Sequence, residues 1–261
     1  MNSISASYYI ALTGGYAIGL LGWWLVNRWK PEIWKQGPDF QFAHPWWETL
    51  GVLAAAVATV GIGQLYSAGM LLPKSFIINR TITGALNQVI IFMPFMVLLM
   101  VRRQPLTTVW LPSRHVLLRL GIGLGLALVA VCAFVLIRQP SQSLDEILGN
   151  VYHPKNIDNA TQVFLEDAAI AMLFVRFRSA IGSKWFLIVL IGVAFLFSAS
   201  HYPMKLGEGL SFLAATRDVI IDALLVSAAV YVLQQSRDIL WFWCVHFAMD
   251  MMQFYAGNPT T

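Results

Sequence analysis

The sequence predicts an all-α protein that crosses a lipid bilayer several times. Hydrophobic residues make up 58% of the 261 residues, charged residues make up only 11%, and the mean hydropathy is +0.66. A soluble domain carries about 25% charged residues, roughly twice this share. Apolar runs of about 20 residues, long enough to span a bilayer, also recur along the chain. Because a water-soluble fold of this size could not bury so much apolar surface, lipid is the expected solvent.

Eight segments are candidates for spanning helices, and we treat 1–261 as a single integral membrane domain. The predicted segments are 5–27, 47–70, 84–101, 116–137, 161–181, 185–203, 217–234 and 238–256. Four of them form an N-terminal group within 1–137. The fifth, seventh and eighth hold acids or histidines and lie in the second group, 161–256. The long loop at 138–160 is expected to hold a short surface helix.

Several other functions and features are not expected from the composition. The basic residues are scattered and form no basic run, so nucleic acid is not an expected partner. Cys132 and Cys244 lie in apolar stretches, where cysteine acts as a small apolar side chain. The first 27 residues carry no charge, so they lack the basic region of a signal peptide and are expected to form the first spanning helix.

Charged residues in the loops predict the orientation of the chain. An even number of helices places both termini on one side of the membrane. With the N-terminus outside, 11 of the 17 lysines and arginines fall in inside loops or at the adjacent helix ends. Since inside loops are enriched in these residues, the termini are expected outside.

Charged side chains within the predicted helices are expected to have a structural or functional role, because a charge at the bilayer centre costs at least about 2.5–3.5 kcal/mol of free energy. Asp218 and Asp222 are expected to be structural, as ion pairs or helix-end acids. Arg176 and Arg178 lie near a helix end, so their long side chains are expected to reach the interface.

Four other polar residues are expected at one depth below one membrane surface. Since consecutive spanning helices are antiparallel, the start of the fifth helix and the ends of the sixth and eighth share a face. That arrangement brings Glu166, His201, His246 and Asp250 to a similar level. His246 and Asp250 also share a helix face, because they are four residues apart. A carboxylate with two imidazoles can activate water, either as a general base or through a bound metal.

Three short motifs carry a family resemblance. They are Glu166-Asp167, Phe197-Ser-Ala-Ser-His201 and His246-Phe-Ala-Met-Asp250. In this order and on successive helices they resemble the CAAX protease and bacteriocin-processing (CPBP, or Abi) family of intramembrane proteases. That family has a Glu-Glu pair followed by Arg, then Phe-x-x-x-His, then His-x-x-x-Asn or Asp. The resemblance covers about 160–256 and implies a bundle like that of the type II CAAX proteases.

The chain departs from the family pattern at two positions. Asp167 replaces the second glutamate, and Ala171 stands where the arginine is expected. Arg176 lies five residues beyond Ala171, roughly 7 Å further along the helix, and does not substitute for that arginine.

The resemblance implies a role for each residue. Glu166 is expected to be the general base that activates water, with help from His201. His246 and Asp250 are expected to orient the scissile carbonyl or stabilise its oxyanion. Asp167 and Phe197 are expected to support the site.

The cofactor stays open at this point. A zinc-like divalent metal would be held by His201, His246 and either Glu166 or Asp250. A metal-free glutamate mechanism suits the same motif equally well.

The predicted function is an intramembrane endopeptidase that cleaves a membrane-associated protein or peptide in a prokaryotic plasma membrane. One alternative is a non-catalytic CPBP-like membrane protein that acts as an immunity or scaffold factor. Another is a membrane protein that binds haem or relays protons through its histidines and acids. Two predictions also stand for the side of the membrane to which the site opens. The charge bias places the site on the outer face, whereas the resemblance implies a cytosolic opening.

Overall fold

The fold is known from a computed structural model, which describes residues 6–34, 40–73, 80–207 and 209–255. Within these ranges the chain forms α-helices and short 3-10 turns, and no strand. The α-helices are α1 (Ala6–Trp29), α2 (Pro31–Trp34), α3 (Pro45–Ser67), α4 (Arg80–Val101), α5 (Val116–Arg138), α6 (Leu144–Val151), α7 (Ile157–Ile181), α8 (Phe186–Ser200), α9 (Tyr202–Gly207), α10 (Phe212–Ser236) and α11 (Ile239–Tyr255).

Six stretches of the described chain are long and apolar enough to cross a membrane. They are Ser7–Trp29, Pro45–Ser67, Arg80–Val101, Val116–Arg138, Ser183–Gly207 and Phe212–Ser236. Large apolar side chains point outward from them, as in Leu117 and Leu136, which are 85% and 76% exposed. The chain is therefore an all-α, multi-pass integral membrane protein, which confirms the predicted class.

Two predicted spans, α7 and α11, do not meet the same standard of length and composition. α7 has 25 residues but holds acids and arginines, whereas α11 has only 17 residues. The count of eight crossings therefore stays a prediction. The predicted surface helix in 138–160 is present as α6, which begins with a capping box between Ser143 and Glu146.

Close packing of α1, α5 and α11 builds one half of the bundle. A Cβ added at Gly123 of α5 would lie 2.7 Å from the Cα of Trp241 in α11, so only glycine allows this approach. In the other half, α7 packs against α3, α4 and α8, and α10 packs mainly against α8. α7 and α11 meet between the two halves.

Contacts between helix termini define two ends of the bundle. The Tyr255 hydroxyl donates to Asn156 Oδ1 at 3.0 Å, which joins the last residue of α11 to the residue before α7. We call this the site end. At the opposite end, Arg119 near the start of α5 pairs with Asp238 just before α11. These two contacts make α7 antiparallel to α11 and α5 parallel to it, which are the directions predicted for these three helices.

The expectation that the Arg176 side chain reaches the membrane interface is wrong. Its side chain is 0% exposed and its Nε lies 4.0 Å from Glu48 Oε2, while the guanidinium also donates to Gln104. Glu48 in turn accepts from Arg102 and, at 2.6 Å, from Gln104. The charge of Arg176 is therefore compensated inside the protein, at the opposite end from the candidate site.

Asp218 and Asp222, expected to be structural, form ion pairs, and Arg178, expected to reach the interface, has a polar partner on α10. Asp218 pairs with Arg217 at 3.0 Å, and Asp222 pairs with Lys205 at 3.2 Å. Arg178 donates to Gln234 at 3.0 Å.

Candidate active site

A hydrogen-bonded carboxylate–imidazole pair lies at the junction of α7 and α11. His246 Nδ1 is 2.8 Å from Asp167 Oδ1, and the Asp167 side chain is fully buried. The two residues are separated by 79 positions in the chain, so only the packing of α7 against α11 brings them together. Asp167, expected to support the site, is the direct partner of a predicted catalytic histidine.

This pair fixes the tautomer of His246. A carboxylate only accepts hydrogen bonds, so Nδ1 carries a proton and donates a hydrogen bond to Asp167. The other ring nitrogen, Nε2, then accepts a hydrogen bond when the ring is neutral and donates one when the ring is charged. Aromatic rings of Tyr16 and Phe242 flank the imidazole, with centroids at 6.3 and 5.5 Å.

Glu166 and Asp250 contribute two further carboxylates to this region. Glu166 is buried next to Asp167 on α7 and accepts a hydrogen bond from Gln162 at 2.9 Å, one helical turn earlier. Asp250 lies one turn beyond His246 and accepts from Gln253 at 3.0 Å. Asp250 interacts electrostatically with both His246 and Glu166. Glu166 and Asp250 therefore lie on the two helices that the Asp167–His246 hydrogen bond joins, and the convergence of Glu166, His246 and Asp250 stays a prediction.

His201 lies further from this group than expected. It caps the C-terminus of α8, and its Nδ1 donates to the carbonyl oxygen of Phe197 at 3.2 Å. Its ring packs edge-on against Phe197, at a centroid distance of 5.1 Å. An electrostatic interaction links His201 to Asp250, but within the described residues no hydrogen bond joins it to the other site residues. Phe197 thus orients the His201 ring through both its carbonyl oxygen and its side chain.

Ala171 lies one turn beyond Asp167 and is 0% exposed. Because alanine stands at this position, no guanidinium extends from it beside the acidic pair, Glu166 and Asp167. Arg176 is engaged with Glu48 at the opposite end. The positive partner of Asp167 is instead His246, when its ring is protonated.

The same residues were tested as a metal site. Throughout the described ranges, no group of three or more His, Cys, Asp or Glu side chains is arranged to hold a metal ion. As they are placed, His201, His246 and the nearby carboxylates therefore do not fit a zinc-like ion.

Comparison with known proteins leaves the family open. No protein-family model, no curated protein and no solved structure matches this chain. The resemblance to the CPBP proteases therefore depends on the three motifs and on the placement of their residues.

Sequence reasoning missed two residues that the fold places at the site. Gln162 is four residues before Glu166, and this spacing is a signal for a side-chain contact on one helix face. Tyr16 lies in an apolar helix more than 200 positions from His246, and no pattern in the chain links the two. Only the glycines around Tyr16 suggest a close helix contact.

Asp167→Asn tests the tautomer assignment. We expect both tautomers of His246 to be populated in this variant, because the amide can donate to Nδ1 as well as accept from it. Loss of the charged hydrogen bond should lower the free energy of unfolding by about 1.5–3 kcal/mol. The tautomers are measured by ¹⁵N NMR of histidine-labelled protein in nanodiscs, with His246→Gln used to assign the signal.

Asp145→Asn on the exposed surface of α6 is the matched control and should leave the His246 signal unchanged. A wild-type spectrum in which Nε2 carries the proton and Nδ1 does not would contradict the assignment.

Proposed function

We propose that this protein is an intramembrane endopeptidase of the CPBP type, with eight crossings and a bundle like that of the type II CAAX proteases. The observation that carries the proposal is the Asp167–His246 pair beside Glu166 and Asp250. Buried acids and histidines in an apolar helical bundle are costly, and such groups typically mark functional sites. All four residues belong to the first and third of the three motifs, and the second motif adds Phe197 and His201.

In the proposed reaction, Glu166 acts as general base. Its carboxylate takes a proton from water as the water oxygen bonds to the carbonyl carbon of the scissile peptide. The carbonyl oxygen becomes an oxyanion in the tetrahedral intermediate. When the C–N bond breaks, the proton on Glu166 passes to the departing amine nitrogen, so that the carboxylate is regenerated.

The two histidines have separate tasks in this proposal. His246, paired with Asp167, donates from Nε2 to the oxyanion when its ring is protonated, and Asp167 stabilises that cation. His201 is oriented through the Phe197 carbonyl, so its Nε2 is available to accept from the attacking water. Asp250 as a carboxylate accepts hydrogen bonds only, and its role is to orient the other groups of the site.

The proposed substrate is a membrane-associated protein or peptide. The site residues lie on helices packed within an apolar bundle, so a substrate held at the same membrane meets them most readily. The proposed location is the plasma membrane of a prokaryotic cell.

The function is tested with His201→Ala and His246→Ala in protein reconstituted into nanodiscs. The probe is a pool of quenched-fluorescence peptides, each with one apolar anchor helix and a randomised flanking segment. We expect the wild type to cleave part of the pool and each variant to lose activity by about 100-fold or more. The rate of fluorescence release measures cleavage, and mass spectrometry locates the cleaved bond.

His44→Ala is the matched control, because His44 is exposed before α3 and makes no side-chain capping hydrogen bond. It should cleave like the wild type. Full activity in both site variants would contradict the assignment of the two histidines.

The buried Ala171 favours a second function, a non-catalytic membrane protein of the same fold. Without an arginine, the acidic pair lacks the cation found in the family pattern. This alternative predicts that the wild type cleaves no member of the pool and that substitutions of Glu166 leave its binding or protective role intact.

A further inference from the structure

Tyr16 of α1 lies against the proposed site. Its ring centroid is 6.3 Å from that of His246, with the two planes tilted by 57°. Tyr16 also interacts electrostatically with Asp250, Asp167 and Glu166. One aromatic side chain from the first helix is therefore close to residues from both α7 and α11.

Two glycines account for this close approach. A Cβ added at Gly15 would lie 2.5 Å from Met249 Sδ, and one added at Gly19 would lie 3.0 Å from Val245 Cγ1. These small residues, four apart, let α1 press against α11 as small residues do in other membrane helix pairs. The backbone of α1 is therefore fixed one residue before Tyr16, which holds the phenol beside His246.

The Tyr16 hydroxyl is available as a donor. Across the described residues it has no hydrogen-bond partner. A half-buried hydroxyl without a partner gains free energy from an acceptor that binds within reach, because a typical hydrogen bond contributes about 0.5–1.5 kcal/mol. An oxygen of a bound peptide would be such an acceptor.

The proposed reaction lacks a second donor for the oxyanion. His246 supplies one hydrogen bond through Nε2, whereas Asp250 supplies none when ionised. Oxyanion sites normally use more than one donor, aimed at the position where the charge develops. His246 has a hydrogen bond to Asp167 and ring contacts with Phe242 and Tyr16, and of these three described partners Tyr16 carries an O–H group.

We infer that Tyr16 is a further catalytic residue, whose phenolic hydroxyl donates a hydrogen bond to the oxyanion of the tetrahedral intermediate. This inference rests on the proposed endopeptidase function. Tyr16 keeps its own proton throughout, so the balance of the reaction is unchanged. The bond to the oxyanion is strongest when the carbonyl oxygen carries its full negative charge.

Tyr16→Phe tests the inference on the most rapidly cleaved peptide of the pool. Phenylalanine keeps the ring against His246 and removes only the donor. We expect kcat to fall by about 10²–10³-fold, the effect of losing one oxyanion donor, with KM within about twofold of the wild type. The ¹⁵N spectrum of His246 should stay the same, which separates loss of a donor from displacement of the ring.

Tyr231→Phe is the matched control, since Tyr231 lies on α10 next to Phe186 and away from the site. It should leave kcat unchanged. Undiminished kcat in Tyr16→Phe, or a loss accompanied by an altered His246 spectrum, would overturn the inference while the wild type still cleaves. A wild type that cleaves nothing would overturn the endopeptidase function itself, and the role of Tyr16 with it.

Discussion

Glu166→Gln is expected to reduce peptide cleavage by about 10²–10⁴-fold, the usual contribution of a general base. Glutamine has the same shape and still accepts the hydrogen bond that Gln162 donates to Oε1 at 2.9 Å. The substitution therefore removes the proton acceptor and keeps the packing of α7. Cleavage is followed with the fluorescent peptide pool, and folding is followed by the midpoint of unfolding in a titration of denaturing detergent.

The control for this variant is Glu146→Gln on the exposed helix α6. Glu146 is itself exposed and takes part in a capping box with Ser143, so cleavage should be unaffected. A Glu166→Gln protein that folds normally and cleaves at more than a tenth of the wild-type rate would contradict the role of Glu166 as base. A folded wild type and variant that are equally inert would favour the non-catalytic alternative.

Asp238→Ala is expected to cause the largest loss of stability, about 3–5 kcal/mol. Asp238 and Arg119 are almost completely buried, and Asp238 Oδ2 accepts from Arg119 Nη1 at 2.6 Å. Oδ1 of the same aspartate accepts from the backbone N–H of Leu240 at 2.8 Å, in the first turn of α11. Removing this carboxylate leaves the guanidinium buried without its charge partner and leaves α11 without its cap.

The reason for the loss is tested by removing both charges. The double variant Arg119→Leu/Asp238→Leu should recover part of the stability, because two apolar side chains avoid the cost of one unpaired charge. Glu32→Ala removes an exposed ion pair with Lys30 and should change stability by less than about 1 kcal/mol. An Asp238→Ala protein as stable as Glu32→Ala would contradict the importance of the buried pair.

The position of α11 links this pair to the candidate site. Asp238 anchors the start of α11 through Arg119, and Gly123 lets the same helix touch α5 at Trp241. His246 is less than three turns further along α11. The buried pair therefore helps to set the position at which His246 meets Asp167.

The residue types of the candidate site were predictable because spacing along a helix is a local property. His246 and Asp250 are four residues apart on α11 and were expected to share a face, and α11 packs against α7, which carries Glu166. Asp167 follows Glu166 directly and was expected to support the site, but its hydrogen bond with His246 was not predicted. The predicted participation of His201 has weaker support, since its hydrogen bond is to its own helix.

Long-range pairing explains the predictions that were wrong or missing. Arg176 looked like a side chain that reaches the interface, yet it is fully buried against Glu48, 128 positions away. Arg119 was counted only among the charges of the inside loops and adjacent helix ends, although Asp238 holds it inside the protein. Tyr16 had no signal that linked it to His246, beyond the glycines on either side of it. In each case the partner lies on a helix that is remote in sequence.

The sequence by itself determined that this protein is α-helical and embedded in a membrane, because hydropathy and segment length are read residue by residue. It also identified the few polar side chains that an apolar environment makes costly. The tertiary structure decided which of them meet, as in Asp167 with His246 and Arg176 with Glu48. The physical reason is that charges and hydrogen bonds act over a few ångströms, and only helix packing brings distant residues within that range.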